Sequence, residues 1–208
     1  VWARQEALRE RVLAGDDQAE RILLLEHEPV VTLGRSGNAR NVLAPPGELA
    51  QRGIDLVRTS RGGDATYHGP GQLVIYPVVR LAAGVVAHVE AIGRAIVDEL
   101  AAMGLEGASW RRSPAGVWVG GAKIAACGLH VRSRVAIHGF ALNVTAESLA
   151  GFQTVVPCGL VGASVTSIET LSPAAVRPLD QLGAAVVQRL CETWRRSPVC
   201  ACDHELPR

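Results

Sequence analysis

Neither sign of charge is in excess in this chain. Twenty-one basic residues face 20 acidic ones, a formal net charge of +1. That balance, with no Lys/Arg stripe along any expected helix, argues against a nucleic-acid footprint. No apolar run approaches the length of a membrane span, and the start at Val1 shows no basic-then-apolar signal pattern. The expectation is a cytoplasmic protein with no membrane partner. The five cysteines, Cys127, Cys158, Cys191, Cys200 and Cys202, are odd in number and irregular in spacing. This argues against a disulfide framework and fits a reducing compartment. Internal repeats and low-complexity segments are also missing.

Common catalytic signatures are absent too. There is no H-E-x-x-H or C-x-x-C metal motif, no Gly-Lys-Ser/Thr ending a phosphate loop, and no G-x-S-x-G nucleophile elbow. Asp55 and Asp64 do not form a carboxylate pair at acid/base spacing. Cys200-Ala-Cys202-Asp-His204 has metal-like residue types at no common zinc spacing, and residues 197–208 read as a tail. Neither a metal nor a cofactor is expected.

What remains is an ordinary globular composition, 48% hydrophobic and 20% charged, over 208 residues. The length suits one domain spanning 1–208 with a real core. Periodicity predicts helices over 3–14, 88–103 and from Leu179 to Trp194, with a brief one ending at Arg52. Strands are expected at Arg21–His27, Val30–Gly34, Ile54–Val57, Leu73–Tyr76, Val117–Val119, Ile124–Val131, Val135–Val144 and near Val165. Strands and helices mix without strict βαβ alternation, so the fold class is α/β of the mixed α+β kind.

Between two of those strands runs R-G-G-D-A-T-Y-H-G-P-G-Q, Arg61 to Gln72, read as a glycine-rich loop whose backbone can approach a ligand closely. Two further residues draw notice. Cys158 stands between Pro157 and Gly159, where a sharp turn can present a thiol; the alternative is a small buried hydrophobe. Lys123 is the only lysine, and it opens an uncharged strand segment. Desolvation there favours a neutral amine that serves as a base or thiolate partner, unless the side chain snorkels to solvent. His68 and His138 are candidate bases for Cys158 or, equally, backbone-bonded structural histidines. His27 and His88 read as surface or boundary positions, and His130 as outward-facing.

The loop 61–72, G-V-W-V-G-G-A-K-I-A-A-C-G-L at 116–129, H-G-F-A-L-N-V at 138–144 and V-P-C-G-L at 156–160 together resemble the lipoyl(octanoyl) transferase family. The resemblance runs from Leu23-Leu-Leu-Glu-His-Glu-Pro29 to about Ile168. One oddity is the early start, since that family usually has a strand before the first helix. The resemblance implies the fold of biotin and lipoate protein ligases, a mixed sheet packed by helices plus a smaller sheet. It implies Cys158 as acyl-thioester nucleophile and Lys123 as the lysine that activates it. It also implies an acyl pocket from Arg61, Gly62, Gly63, Asp64, Ala65, Thr66, Tyr67 and His68, from Ala126, Cys127 and Gly128, and from Gly139, Phe140 and Ala141.

The partners so implied are octanoyl-acyl carrier protein as donor and, as acceptors, lipoyl domains of 2-oxoacid dehydrogenases and the glycine cleavage H protein. The nearest alternative is an ATP-dependent lipoate– or biotin–protein ligase on the same fold. A non-catalytic acyl-binding scaffold and a cysteine hydrolase using His68 or His138 are the others.

Overall fold

The computed structural model describes residues 1–159, 162 and 164–195. Helix α1 covers Trp2–Leu13 and strands β1 and β2 cover Arg21–Leu25 and Val30–Leu33. Helix α2 follows at Pro46–Gln51, then β3 at Asp55–Arg58, β4 at Ala65–His68 and β5 at Gln72–Val78. Helix α3 is Val85–Ala102, and β6 to β9 are Ser109–Arg112, Ala115–Val119, Ala122–Arg132 and Val135–Asn143. Short α4, Ile168–Leu171, and α5, Leu179–Trp194, close the described chain.

Six strands form one sheet in the order β1-β5-β9-β8-β7-β6, and three form a smaller one in the order β3-β2-β4. Every strand pairing in the large sheet is antiparallel, and a single parallel bridge joins Lys123 to Val165 at its side. In the small sheet β2 runs parallel to β3 and antiparallel to β4. The fold is thus mixed α/β, as the composition of elements predicts.

Alternation along β5 decides how the large sheet is covered. Leu73 and Ile75 point into a core shared with Ile92, Ile96 and Leu100 of α3 and Leu182, Val186 and Leu190 of α5. Val74, Tyr76 and Val78 point the other way, with Leu23, Leu25, Ile137 and Ala141. Both faces are therefore covered, which is why β5 and β9 are buried along their whole length. Each fully buried isoleucine or leucine stabilises by roughly 1.5–3 kcal/mol relative to an exposed one. Glu99 of α3, itself buried, is gripped by Arg189 of α5 at 2.8 Å and Arg177 at 3.0 Å, which locks the two helices together. A second core lies under the small sheet, where Val31, Leu33, Ala65 and Tyr67 meet Leu49, Phe152 and Val155.

Several expectations need correction. The span 61–72 is not all loop, because Ala65–His68 pairs with β2, Val31 facing Tyr67 and Thr32 facing Thr66. The expected strand near Val165 is one bridge residue. Ser109–Arg112, read as no element, is a strand held by β7. His88 is buried and stacks on Trp194 with ring centroids 5.0 Å apart. The expected tail at 197–208, with Cys200, Cys202 and His204, lies outside the described residues.

Strands β5 and β9 are paired only from Gln72–Asn143 to Ile75–Phe140. Past that point Pro77 has no N–H to give, and His138 takes a positive φ of 58° with its N–H donated to Gln5 Oε1 of α1 at 2.7 Å. At the edge of this opening a Cβ on Gly139 would overlap the Ile75 carbonyl oxygen. Gly139→Ala is therefore expected to lower unfolding free energy in urea by about 1–3 kcal/mol. Gly47→Ala, in α2 with open space around it, is expected to leave stability unchanged or raise it by about 0.5 kcal/mol. Equal effects from the two would contradict this packing argument.

Candidate functional site

Strand periodicity sorts the glycine-rich motif into two faces. Ala65 and Tyr67 turn into the second core, where Tyr67 meets Phe152 edge-on at 5.7 Å. Thr66 and His68 turn the opposite way, toward the large sheet, and line a cavity of about 40 Å³. Arg61, Gly63 and Asp64 line it from the same motif, with Ala126, Cys127 and Gly128 of β8 and Gly139, Phe140 and Ala141 of β9. Three separate sequence blocks thus converge on one space. Phe140 sends its ring to the helix-covered core beside Trp110. The side chain of Cys127 is packed against that core as well. Gly62 and Lys123 are not among the lining residues.

The loop reaches β8 because two glycines meet. Gly62 N–H donates to the Leu129 carbonyl at 2.8 Å. A Cβ on Gly128 would stand 2.9 Å from the Gly62 carbonyl oxygen and 3.3 Å from Arg61 Cδ. Arg61 is buried between the sheets. Its Nε donates to Thr32 Oγ1 at 2.9 Å, Nη2 to the Thr32 and Asp64 carbonyls at 2.6 Å each, and Nη1 to the Gly62 carbonyl at 3.0 Å. Asp64 accepts from the backbone N–H of Asn38 and of Ala65, both at 2.8 Å, and from Asn41 Nδ2.

Asp64 also marks where Cys158 enters. Cys158 lies in a 3-10 turn, Pro157–Gly159, packed against β4. A Cβ on Gly159 would stand 2.9 Å from Asp64 Oδ2. The side chain of Cys158 is outside the described residues, as are Leu160, Val161 and Ala163. The chain then passes to Lys123, whose backbone N–H donates to Ser164 O at 2.9 Å and whose carbonyl accepts from Thr166 N–H at 3.0 Å. Lys123 is 5% exposed, so it does not snorkel. Its Nζ donates to the Ala115 carbonyl at 3.1 Å and lies 5.0 Å from the centre of the Trp118 ring.

Sequence reading did not single out Tyr76, which shares the cavity with His68 and His138. It sits in an apolar strand and reads as core. Arg61, His68, Tyr76 and His138 are also walls of a larger neighbouring chamber of about 670 Å³, which extends toward Trp2, Gln5 and His27. Tyr76 Oη is 2.9 Å from His27 Nε2. His138 Nε2 is 3.0 Å from Ser60 Oγ, and His68 Nδ1 is 2.6 Å from Gln72 Oε1. Burial, first of all, makes these rings hard to charge. It brings His27 down to about 4. His68 falls to about 3, through burial and then His27, with Arg61 and His138 adding to the effect against the bond from Gln72. His138 falls to about 4, through burial and then Arg61. The same burial raises the Tyr76 hydroxyl. His130 is partly exposed and meets Arg9.

These features describe a pocket between the two sheets, walled in part by uncharged histidines. The chain belongs to the lipoyl protein ligase A/B catalytic domain family, whose description matches residues 1–191. It is 48% identical over 170 residues to the octanoyltransferase of Solibacter usitatus, covering 79% of this chain and 74% of that protein. It is 36% identical over 207 residues to the octanoyltransferase of Chloroflexus aggregans, covering 97% and 92%. In structure it is similar to the bipartite lipoate protein ligase of Thermoplasma acidophilum, with TM-score 0.70, 18% identity, and 94% and 80% of the two chains covered. Among the described residues no helix is long and apolar enough to cross a membrane.

The depressed histidines predict how stability depends on pH. Each charges near 6.5 when unfolded but only near 3 to 4 when folded. The unfolded chain therefore binds more protons in between, and stability present above pH 6.5 is lost as pH falls toward 4. The upper bound is about 1.4 kcal/mol per pH unit per histidine. Urea unfolding between pH 7 and 4.5 checks this, and replacing His138 by asparagine is expected to flatten the slope. A stability that rises on acidification would contradict it.

Proposed function

We propose that this chain is an acyltransferase that moves an octanoyl group from octanoyl-acyl carrier protein to a lysine of a lipoyl domain, through a thioester on Cys158. Membership in the family and the octanoyltransferase relatives support octanoyl transfer in protein lipoylation. The observation that carries the finer reading is the setting of Lys123. A buried amine is held on β8, and its backbone is paired with Ser164 and Thr166, a few residues beyond the Cys158 turn. Such an amine beside a thiol draws off its proton and stabilises the reactive thiolate.

In the first step the Cys158 thiolate attacks the thioester carbonyl of the donor. The tetrahedral oxyanion collapses, the carrier sulfur leaves and takes the proton that Lys123 drew from Cys158, and octanoyl–Cys158 and a neutral Lys123 remain. One thioester replaces another, so the step is nearly thermoneutral. In the second step the acceptor lysine amine attacks the same carbonyl. A C–N bond forms, the C–S bond to Cys158 breaks, and Lys123 takes the proton from nitrogen. Thioester to amide is downhill, so this route requires no nucleotide, metal or other cofactor.

The acyl chain needs more room than the motif-lined cavity supplies. Its 40 Å³ has room for only a few water molecules, at roughly 10–15 Å³ each. Most of the chain would therefore lie in the adjoining chamber that shares Arg61, His68, Tyr76 and His138. Burial at ~0.8 kcal/mol per methylene lets the length of that path select the acyl group. The small residues Ala126 and Ala141 leave a slot for the chain between the strands.

A ligase reading draws on the likeness to lipoate protein ligases in fold, and one assay separates the two. Purified chain, octanoyl-acyl carrier protein and apo lipoyl domain are expected to give octanoyl-lysine amide with no ATP present. Lys123→Met is expected to lower the rate by roughly 10²–10⁴-fold, and Cys158→Ala to abolish transfer. Transfer that appears only with ATP, or that survives Cys158→Ala, would overturn the thioester route.

A further inference from the structure

A line of buried amide side chains runs from His68 to the backbone beside Lys123. His68, Gln72, Asn143 and Thr166 are all at most 6% exposed. His68 Nδ1 lies 2.6 Å from Gln72 Oε1. Gln72 Nε2 donates to Asn143 Oδ1 at 2.9 Å and faces the Tyr67 carbonyl at 3.5 Å. Asn143 Nδ2 donates to the Thr166 carbonyl at 3.0 Å, and Thr166 N–H donates to the Lys123 carbonyl.

The direction of this line is set from its far end. The Thr166 carbonyl can only accept, so Asn143 must present its NH₂ there and its oxygen to Gln72. Gln72 must then present its NH₂ to Asn143, and the Tyr67 carbonyl demands the same orientation. Turning either amide over would put two oxygens face to face in a buried place, at the full cost of unmade hydrogen bonds. Gln72 is left offering an oxygen to His68, so Nδ1 carries the hydrogen. The ring is neutral at working pH, so its Nε2 holds a lone pair. Among the described residues no group pairs with Nε2, while His68 borders both the small cavity and the larger chamber.

We infer that Gln72 and Asn143 are positioning residues that fix His68 as the Nδ1–H tautomer, so that Nε2 accepts a hydrogen bond from the attacking lysine amine of the acceptor domain. The role given to the amine rests on the transferase reading; the tautomer does not. His68 is a weak base here, so it orients the amine and leaves the proton to Lys123. An N–H bonded to Nε2 directs the nitrogen lone pair, and misplacement by about 1 Å costs on the order of 100-fold in rate. Since the relay ends on the Lys123 backbone, acceptor and base are held by the same hydrogen-bonded line.

Two measurements test it. In the full-length chain with ¹⁵N-labelled histidine, long-range ¹H–¹⁵N correlation is expected to show His68 as the Nδ1–H form. Gln72→Leu is expected to release it to a mixture. Pre-formed acyl-enzyme is then mixed with apo lipoyl domain and its decay followed. His68→Gln keeps an oxygen acceptor near the Nε2 position and is expected to retain a rate within about tenfold of the parent. His68→Asn keeps only the bond to Gln72 and is expected to fall roughly 100-fold, with acyl-enzyme formation alike in both. An Nε2–H spectrum, or asparagine as good as or better than glutamine, would overturn the inference, because a structural role favours asparagine. If no acyl-enzyme forms in the parent, the transferase reading fails while the spectrum still decides the relay.

Discussion

The buried guanidinium of Arg61 is the constraint on which the rest depends. Its partners include four uncharged oxygens, two of them on Thr32 in the small sheet and two within its own loop. Burying such a charge is costly unless its donors are satisfied. The loop 61–64 is therefore obliged to fold round it, with Gly62 pressed against Leu129 of the large sheet. The cavity is the space left beside this joint, and the joint sets how far apart the sheets stand.

The charge of Arg61 also shapes the chemistry around it. Together with burial it helps keep His68 and His138 uncharged, so their rings keep a nitrogen able to accept a hydrogen bond. Thiolate formation is assigned instead to Lys123, on the far side of the relay through Gln72, Asn143 and Thr166. In the proposed route, separating the cation that activates sulfur from the neutral groups that receive nitrogen would let one site serve both halves of an acyl exchange.

Much of the fold was legible in the sequence where one element buries one face. Ile92, Ile96 and Leu100 mark α3 by spacing alone, as Leu182, Val186 and Leu190 mark α5. Strand β4 was hidden because Ala-Thr-Tyr-His between glycines has no local strand signal. It forms through pairing with β2 more than thirty residues earlier in the chain. The same pairing sends Thr66 and His68 to the cavity and Ala65 and Tyr67 to the core, a distinction a loop could not carry. Tyr76 was missed because a polar tip on a core strand looks apolar in one dimension. His88 looked like a boundary residue because Trp194, which covers it, lies about a hundred residues away.

The central claim is that acyl transfer passes through a covalent bond to Cys158. Peptide mapping by mass spectrometry after mixing the chain with octanoyl-acyl carrier protein alone tests it most directly. The account predicts the mass of one octanoyl group on the peptide containing Cys158, removed on adding apo lipoyl domain. An unmodified Cys158 peptide under conditions where the acceptor nevertheless becomes octanoylated would contradict it.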